Sequence, residues 1–203
     1  MRVLLTGGTG LVGSHACRML QGRGHALRLL VRDPARAQSV FSRFDAEPPE
    51  FVRGDITEPV SIAAALEGCE ALVHCAAATP MQSGSVEQLF QVNVDGVKHV
   101  VGQALDSGIS RIVCISSITA IFNADASKVN ADAPPTPSRM PYGQSKVQAE
   151  LYLRGQQDAG KPIAIIYPGG ILGPDDPGFS DSCKAIKHRI DNGFRLFGAG
   201  GMQ

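Results

Sequence analysis

The chain has 203 residues, and its 19 Lys+Arg balance its 19 Asp+Glu, so the formal net charge is zero. That balance excludes proteins that hold nucleic acid or an anionic membrane surface through surplus cations, because both need positive charge to displace counterions or attract headgroups. With 43% hydrophobic and 19% charged residues, the composition is that of a globular domain rather than a disordered segment.

In chain order, short apolar runs alternate with stretches long enough for a helix. Val3–Thr6 predicts a first strand and Leu11–Gln21 a helix; Leu27–Val31 and Phe51–Arg53 predict two more strands. Val60–Leu66 reads as a helix, Ala71–Ala76 as a strand, Val86–Ala104 as a long helix and Arg111–Ser116 as a strand. Four prolines in Asn130–Pro141 forbid regular structure there and predict a surface loop. Tyr142–Gln157 follows as a helix, Ile163–Tyr167 as a strand, Pro168–Gly178 as a Gly/Pro/Asp cluster that ends it, and Lys184–Asn192 as one more helix. Strands that read as continuous apolar runs are buried on both faces, which predicts an α/β fold: a parallel sheet doubly wound by helices. No window reaches the roughly 18 apolar residues of a membrane helix, and the first ten residues break into Thr and Gly after three apolar ones, so neither anchor nor signal peptide is expected. The five cysteines lack CxxC spacing and the five histidines lack HxxxH spacing, which suits free thiols in a reducing cytoplasm and no metal site.

Four features carry chemistry. Thr6-Gly7-Gly8-Thr9-Gly10-Leu11-Val12-Gly13 joins the first strand to the first helix. Glycines 7, 10 and 13 permit a tight turn, approach of backbone amides to a pyrophosphate and close helix packing, while the helix N-terminus favours the anion. A triphosphate-binding loop is excluded, because Ser14-His15 stands where Lys-Ser/Thr is required. After the second strand, Arg32 with Arg36 close behind can pair with the 2′-phosphate of NADP; one such bond, worth roughly 1.5–3 kcal/mol, gives a preference of about tenfold to a hundredfold. If Asp33 faced the ribose instead, NAD would be accepted. The third feature is Tyr142 and Lys146, four apart on one helix face, where an ammonium beside a phenol lowers its pKa and readies it for proton exchange. The fourth is Ser116-Ser117, closing the fifth strand on the carboxyl edge where open α/β sheets bind ligands.

In this order the features resemble the short-chain dehydrogenase/reductase superfamily, in its extended branch of NAD(P)-dependent epimerase/dehydratase-like proteins. The resemblance runs from Arg2 to about Pro174, and also rests on Gly54-Asp55-Ile56-Thr57, His74 to Ala78, Asn93-Val94-Asp95-Gly96 and Tyr167 to Pro174. The turn at Val31–Pro34 looks most like the dihydroflavonol-reductase-like group, whose members reduce ketones or aldehydes with NADPH. The resemblance implies a Rossmann domain over residues 1–174, with 175–203 starting a substrate-binding lobe that is incomplete at Gln203, beyond the Gly-rich stretch Phe197–Gly201.

The resemblance also implies roles. Thr9, Leu11 and Val12 would join the glycines around the pyrophosphate; Asp55 and Ile56 would flank the adenine, and Ala76, Ala77 and Ala78 would line the ribose and pyrophosphate. Pro168, Gly169 and Ile171 would cover the nicotinamide, with Ser116 alongside. Ser117, 25 residues before Tyr142, has the family's spacing for the catalytic Ser and is favoured over Ser116. Tyr142 would be the acid/base, and Lys146 would hold the nicotinamide ribose and lower the Tyr pKa. Asn93 would support the Lys through water, or alternatively serve as a helix kink or cap. The family usually has Arg where Tyr167 stands.

These roles make the chain an NADP-preferring oxidoreductase acting on a small carbonyl or alcohol, with NAD as the alternative cofactor. A nucleotide-sugar epimerase or dehydratase uses the same residues, and a non-catalytic NADP-binding sensor uses the same fold. No nucleic-acid or membrane partner is expected, and by analogy two copies would pair through the long helices as a homodimer.

Overall fold

The computed structural model describes residues 1–44 and 47–192; the Gly-rich stretch Phe197–Gly201 lies outside the described residues. Six strands, β1 (Arg2–Thr6), β2 (Ala26–Val31), β3 (Glu50–Arg53), β4 (Ala71–His74), β5 (Ile112–Ile115) and β6 (Ile163–Ile166), form one parallel sheet in the order β3-β2-β1-β4-β5-β6. The helices are α1 (Leu11–Gly22), α2 (Pro34–Phe41), α3 (Pro59–Leu66), α4 (Val86–Phe90), α5 (Gly96–Asp106), α6 (Pro141–Asp158) and α7 (Asp181–Asp191). The strand order reverses between β1 and β4, which opens a crevice at the carboxyl ends of these two strands, as in a Rossmann fold. Among the described residues, no helix is long and apolar enough to cross a membrane.

Alternation along the inner strands explains the two layers. On β1, Val3 and Leu5 join Leu27, Leu29 and Val31 of β2 against Cys17 of α1 and Ala37, Val40 and Phe41 of α2. The intervening Leu4, with Leu30, Leu72 and Ile112, packs on the opposite face against α3, α5 and α6. Both faces are therefore apolar, which is why these strands read as continuous runs. Double burial does not extend to the sheet edges: in β6, Ala164 and Ile166 are exposed. Arg28 interrupts the apolar run of β2 but is partnered: Nη1 donates to the carbonyls of Ala65 (3.2 Å) and Glu67 (2.6 Å) at the end of α3, and Nε lies 2.9 Å from Glu50 as an ion pair.

Three elements differ from the sequence expectation. Helix α2 is an addition: Asp33 caps it, accepting from the amides of Ala35 (2.9 Å) and Arg36 (3.1 Å), and Pro34 occupies its first turn. The long helix expected over Val86–Ala104 is divided by a π-helical turn, Gln91–Asp95, which carries Asn93. Strand β4 ends at His74 rather than Ala76, leaving Cys75 to Ala78 as irregular backbone along the crevice.

Candidate functional site

The Gly-rich turn is shaped by contacts that no side chain could survive. Gly7 has φ of 73°, and a Cβ there would come within 2.5 Å of the Ala76 amide nitrogen; at Gly13 it would lie 2.2 Å from the Gly7 carbonyl oxygen. The amide of Gly10 donates to the Gly7 carbonyl at 3.1 Å, and α1 starts at Leu11 with no side-chain cap. Its first-turn amides, including those of Leu11, Val12 and Gly13, are thus left for an external anion, with Thr9 half-buried beside them. A pyrophosphate fits this cradle. Loop residues after β6 reach the same helix: His15 Nε2 contacts the Pro174 carbonyl at 3.0 Å, and Arg18 lies 3.9 Å from Asp175.

After β2 the structure separates two residues that the sequence left in competition. The Asp33 Oδ1 is engaged by the amides of α2, whereas Arg32 and Arg36 are exposed. After β3, Asp55 Oδ1 accepts from the Thr57 amide and hydroxyl, both at 2.9 Å, so its carboxylate shapes its own turn. Ile56 belongs to the core, where its Cδ1 would lie 2.6 Å from a Cβ placed on Gly96. Its side chain is therefore a packing element, which leaves its backbone to face the turn.

The crevice wall after β4 is held at both ends. The Ala76 amide lies 3.4 Å from Thr6 Oγ1, which bonds His74 Nδ1 at 2.8 Å. Asn93, 1% exposed, accepts from the Ala78 amide at 2.8 Å and donates back to the Ala78 carbonyl at 3.0 Å and to Ser145 Oγ at 3.0 Å. Ala77 is left exposed between the two anchors. Asn93 is thus a clamp between the β4 loop and α6, set in a π-turn, and none of its hydrogen bonds reaches Lys146.

Ser117, Tyr142 and Lys146 come from two backbone environments. Ser117 starts the 3₁₀ turn Ile118–Ala120: its Oγ accepts from the Thr119 amide at 3.2 Å and donates to the Thr119 hydroxyl at 3.0 Å. Tyr142 and Lys146 lie in the first two turns of α6, opened by Pro141. Burial pushes the Tyr142 phenol above its usual value, with the Ser117 hydroxyl opposing the rise. The lowering expected from Lys146 does not appear at the phenol, where burial dominates. Burial takes Lys146 down to about 8, opposed by Cys114 and Glu150.

The Ser116 Oγ donates to Glu150 Oε2 at 2.8 Å. Beyond it, the Ser116 amide donates to the Ile166 carbonyl at 2.8 Å and the Ile118 amide to the Pro168 carbonyl at 2.9 Å, which ties Pro168 to the Ser117 turn. Gly169 is exposed and Ile171 half-buried in the same loop. Two residues of this region escaped the motif reading: Glu150 and Arg154. They continue the four-residue spacing of Tyr142 and Lys146, and that spacing was the available signal.

Comparisons with known proteins agree with this fold. Residues 3–194 match the model of the NAD dependent epimerase/dehydratase family. The chain is 33% identical over 178 residues to the sterol demethylase protein B of Methylococcus capsulatus, a match covering 87% of this chain and 53% of the relative. It is 30% identical over 175 residues to a putative dihydroflavonol 4-reductase of Synechocystis sp., covering 85% and 50%. A solved UDP-glucose-4-epimerase of Stenotrophomonas maltophila, with bound NAD and formylated UDP-arabinopyranose, superposes with a TM-score of 0.71 at 31% identity, covering 81% of this chain and 51% of that one. The chain spans about half the length of each.

Proposed function

We propose a function from one premise: the chain belongs to the NAD dependent epimerase/dehydratase family. On that premise it is the cofactor-holding part of an NADP-preferring oxidoreductase that reduces a ketone or aldehyde, or oxidises the corresponding alcohol. The observation that carries the NADP reading is the capping of α2. Asp33, the acidic group that would accept a ribose 2′-hydroxyl, spends Oδ1 on the amides of Ala35 and Arg36, while Arg32 and Arg36 stand exposed beside it.

The uncapped start of α1 and the glycine cradle would hold the pyrophosphate, and the loop from Pro168 to Ile171 would cover the nicotinamide. When bound, the nicotinamide supplies or accepts the hydride. Ser117 would hold the substrate oxygen and Tyr142 would exchange a proton with it, with Lys146 on the same helix face as the cation nearest the cofactor ribose. Burial keeps Tyr142 protonated, which suits donation to a developing alkoxide and hence the reducing direction. A second reading, sugar-nucleotide epimerisation with NAD, draws on the similar epimerase that holds NAD and a UDP-sugar.

Parallel titrations of the chain and its Arg32→Asp variant with NADPH and NADH, followed by nicotinamide fluorescence, separate these. The reading requires NADPH to bind about tenfold to a hundredfold tighter than NADH, and Arg32→Asp to reverse that order. Equal affinities, or a preference that the substitution leaves untouched, would remove Arg32 as the phosphate ligand and favour the NAD-linked reading. A carbonyl screen with NADPH then tests turnover, and binding without turnover on any carbonyl would favour a sensor.

A further inference from the structure

Glu150 has no exposed surface, yet it carries a carboxylate one helical turn beyond Lys146 and two beyond Tyr142. Both of its oxygens are engaged. Oε2 accepts from Ser116 at the end of β5 (2.8 Å); Oε1 accepts from Arg154 Nε (2.7 Å) and from the Tyr167 hydroxyl just past β6. Arg154 also donates through Nη2 to the Tyr167 hydroxyl at 3.1 Å and to the Ala131 carbonyl at 3.0 Å, in the proline-rich loop beside the crevice. One carboxylate therefore joins α6 to two strand ends and, through Arg154, to that loop. Desolvating a carboxylate costs several kcal/mol, and a neutral amide could satisfy part of this network at less cost. The charge itself calls for an explanation.

Building on the assignment of Tyr142 and Lys146 as the reacting pair, we propose that Glu150 is a positioning residue: its carboxylate, fixed by Ser116, Tyr167 and Arg154, locks α6 in register with β5 and β6 and sets the negative charge that the buried Lys146 ammonium faces. The groups around Lys146 support this. His74 from β4 is held neutral, its pKa taken down to about 3 by burial and then by Lys146 itself. Cys114 from β5 is pushed up to about 12 by burial, as is Cys75 behind it, so both are neutral thiols wherever Lys146 titrates. Tyr142 on the same helix is likewise protonated. Glu150 is the carboxylate of the set, paired with Arg154 Nε at 2.7 Å.

The test is a 13C NMR titration of the full chain labelled at lysine Cε, with the Lys146 resonance assigned by its loss in Lys146→Met. The wild-type resonance should titrate near pH 8. Glu150→Gln keeps the shape and removes the charge, and should lower that midpoint by about one unit, a tenfold rise in the acid dissociation constant. Arg154→Met removes the competing cation and should move the midpoint upward. A purely structural Glu150 predicts no movement in Glu150→Gln, and that result overturns the proposal. Should Glu150→Gln fail to fold by circular dichroism, Arg154→Met decides alone: a midpoint that stays or falls overturns it. Neither cofactor nor substrate is present in this titration, so failure to bind NADPH and NADH would refute the oxidoreductase reading separately.

Discussion

Replacing Asn93 tests how the crevice wall is built. Its side chain satisfies both the amide and the carbonyl of Ala78, at 2.8 and 3.0 Å, in a buried setting. Its third partner, Ser145, would lose little, because the Ser145 hydroxyl still donates to the Tyr142 carbonyl at 2.7 Å. Each buried backbone group left without a partner costs about 1–3 kcal/mol, so Asn93→Ala, which strands two, should remove about 2–6 kcal/mol. That is a large part of the roughly 5–15 kcal/mol that holds a typical domain together. At roughly 2–4 °C per kcal/mol for a chain of this size, the melting temperature should fall by about 10 °C. Asn93→Leu refills the volume and should recover little of the loss, since the missing partners are polar. Urea unfolding at pH 7 measures both variants. A loss below about 1 kcal/mol in Asn93→Ala would show that Ala78 finds other partners and that the clamp is dispensable.

Three other substitutions probe separate parts of the site. Tyr142→Phe keeps the ring and removes the proton, so turnover of any carbonyl substrate should vanish while NADPH affinity, read by fluorescence, changes less than about threefold; loss of binding instead would take Tyr142 out of the acid/base role. Gly13→Ala places a Cβ 2.2 Å from a backbone oxygen that has no room to retreat, so it should open the turn, abolish NADPH binding and lower the melting temperature; an unchanged melting temperature would refute the close packing of α1 on the turn. His74 has its pKa lowered from 6.5 to about 3, first by burial and then by Lys146. Below about pH 6.5 the unfolded chain takes up a proton that the folded chain refuses, so the contribution of neutral His74 is present above that pH and lost as the pH falls toward 3, at up to about 1.4 kcal/mol per unit. His74→Gln should flatten that part of the stability curve relative to wild type in urea unfolding at pH 7, 5.5 and 4.5; parallel curves would refute the burial of a neutral His74.

Much of the architecture was legible because period and punctuation survive in one dimension. The apolar runs of β1, β2 and β4 and the glycine spacing before α1 each follow from local chemistry, whereas Pro141, read as the end of a loop, opens α6. Helix α2 escaped for a different reason. It is short, and its one strong signal, Asp33 followed by Pro34, lies in the turn that was being read for cofactor specificity. The π-turn at Gln91–Asp95 left no mark on an otherwise helical pattern, since it is stabilised by what Asn93 reaches across to rather than by its neighbours in sequence.

The sequence by itself determined that the chain winds a parallel sheet, where its glycine-rich turn lies, and that Tyr142 and Lys146 share a helix face, because each of these depends on spacing within a few residues. Which groups those side chains meet was decided only by the tertiary structure. It sent Asp33 to cap a helix, Ile56 into the core and Ser116 onto Glu150, and it brought Glu150, Arg154, Tyr167 and Ala131 together from separate segments. Burial then set the protonation of Tyr142, Lys146 and His74. Desolvation depends on everything that surrounds a group in space, and spacing along a chain does not carry that information.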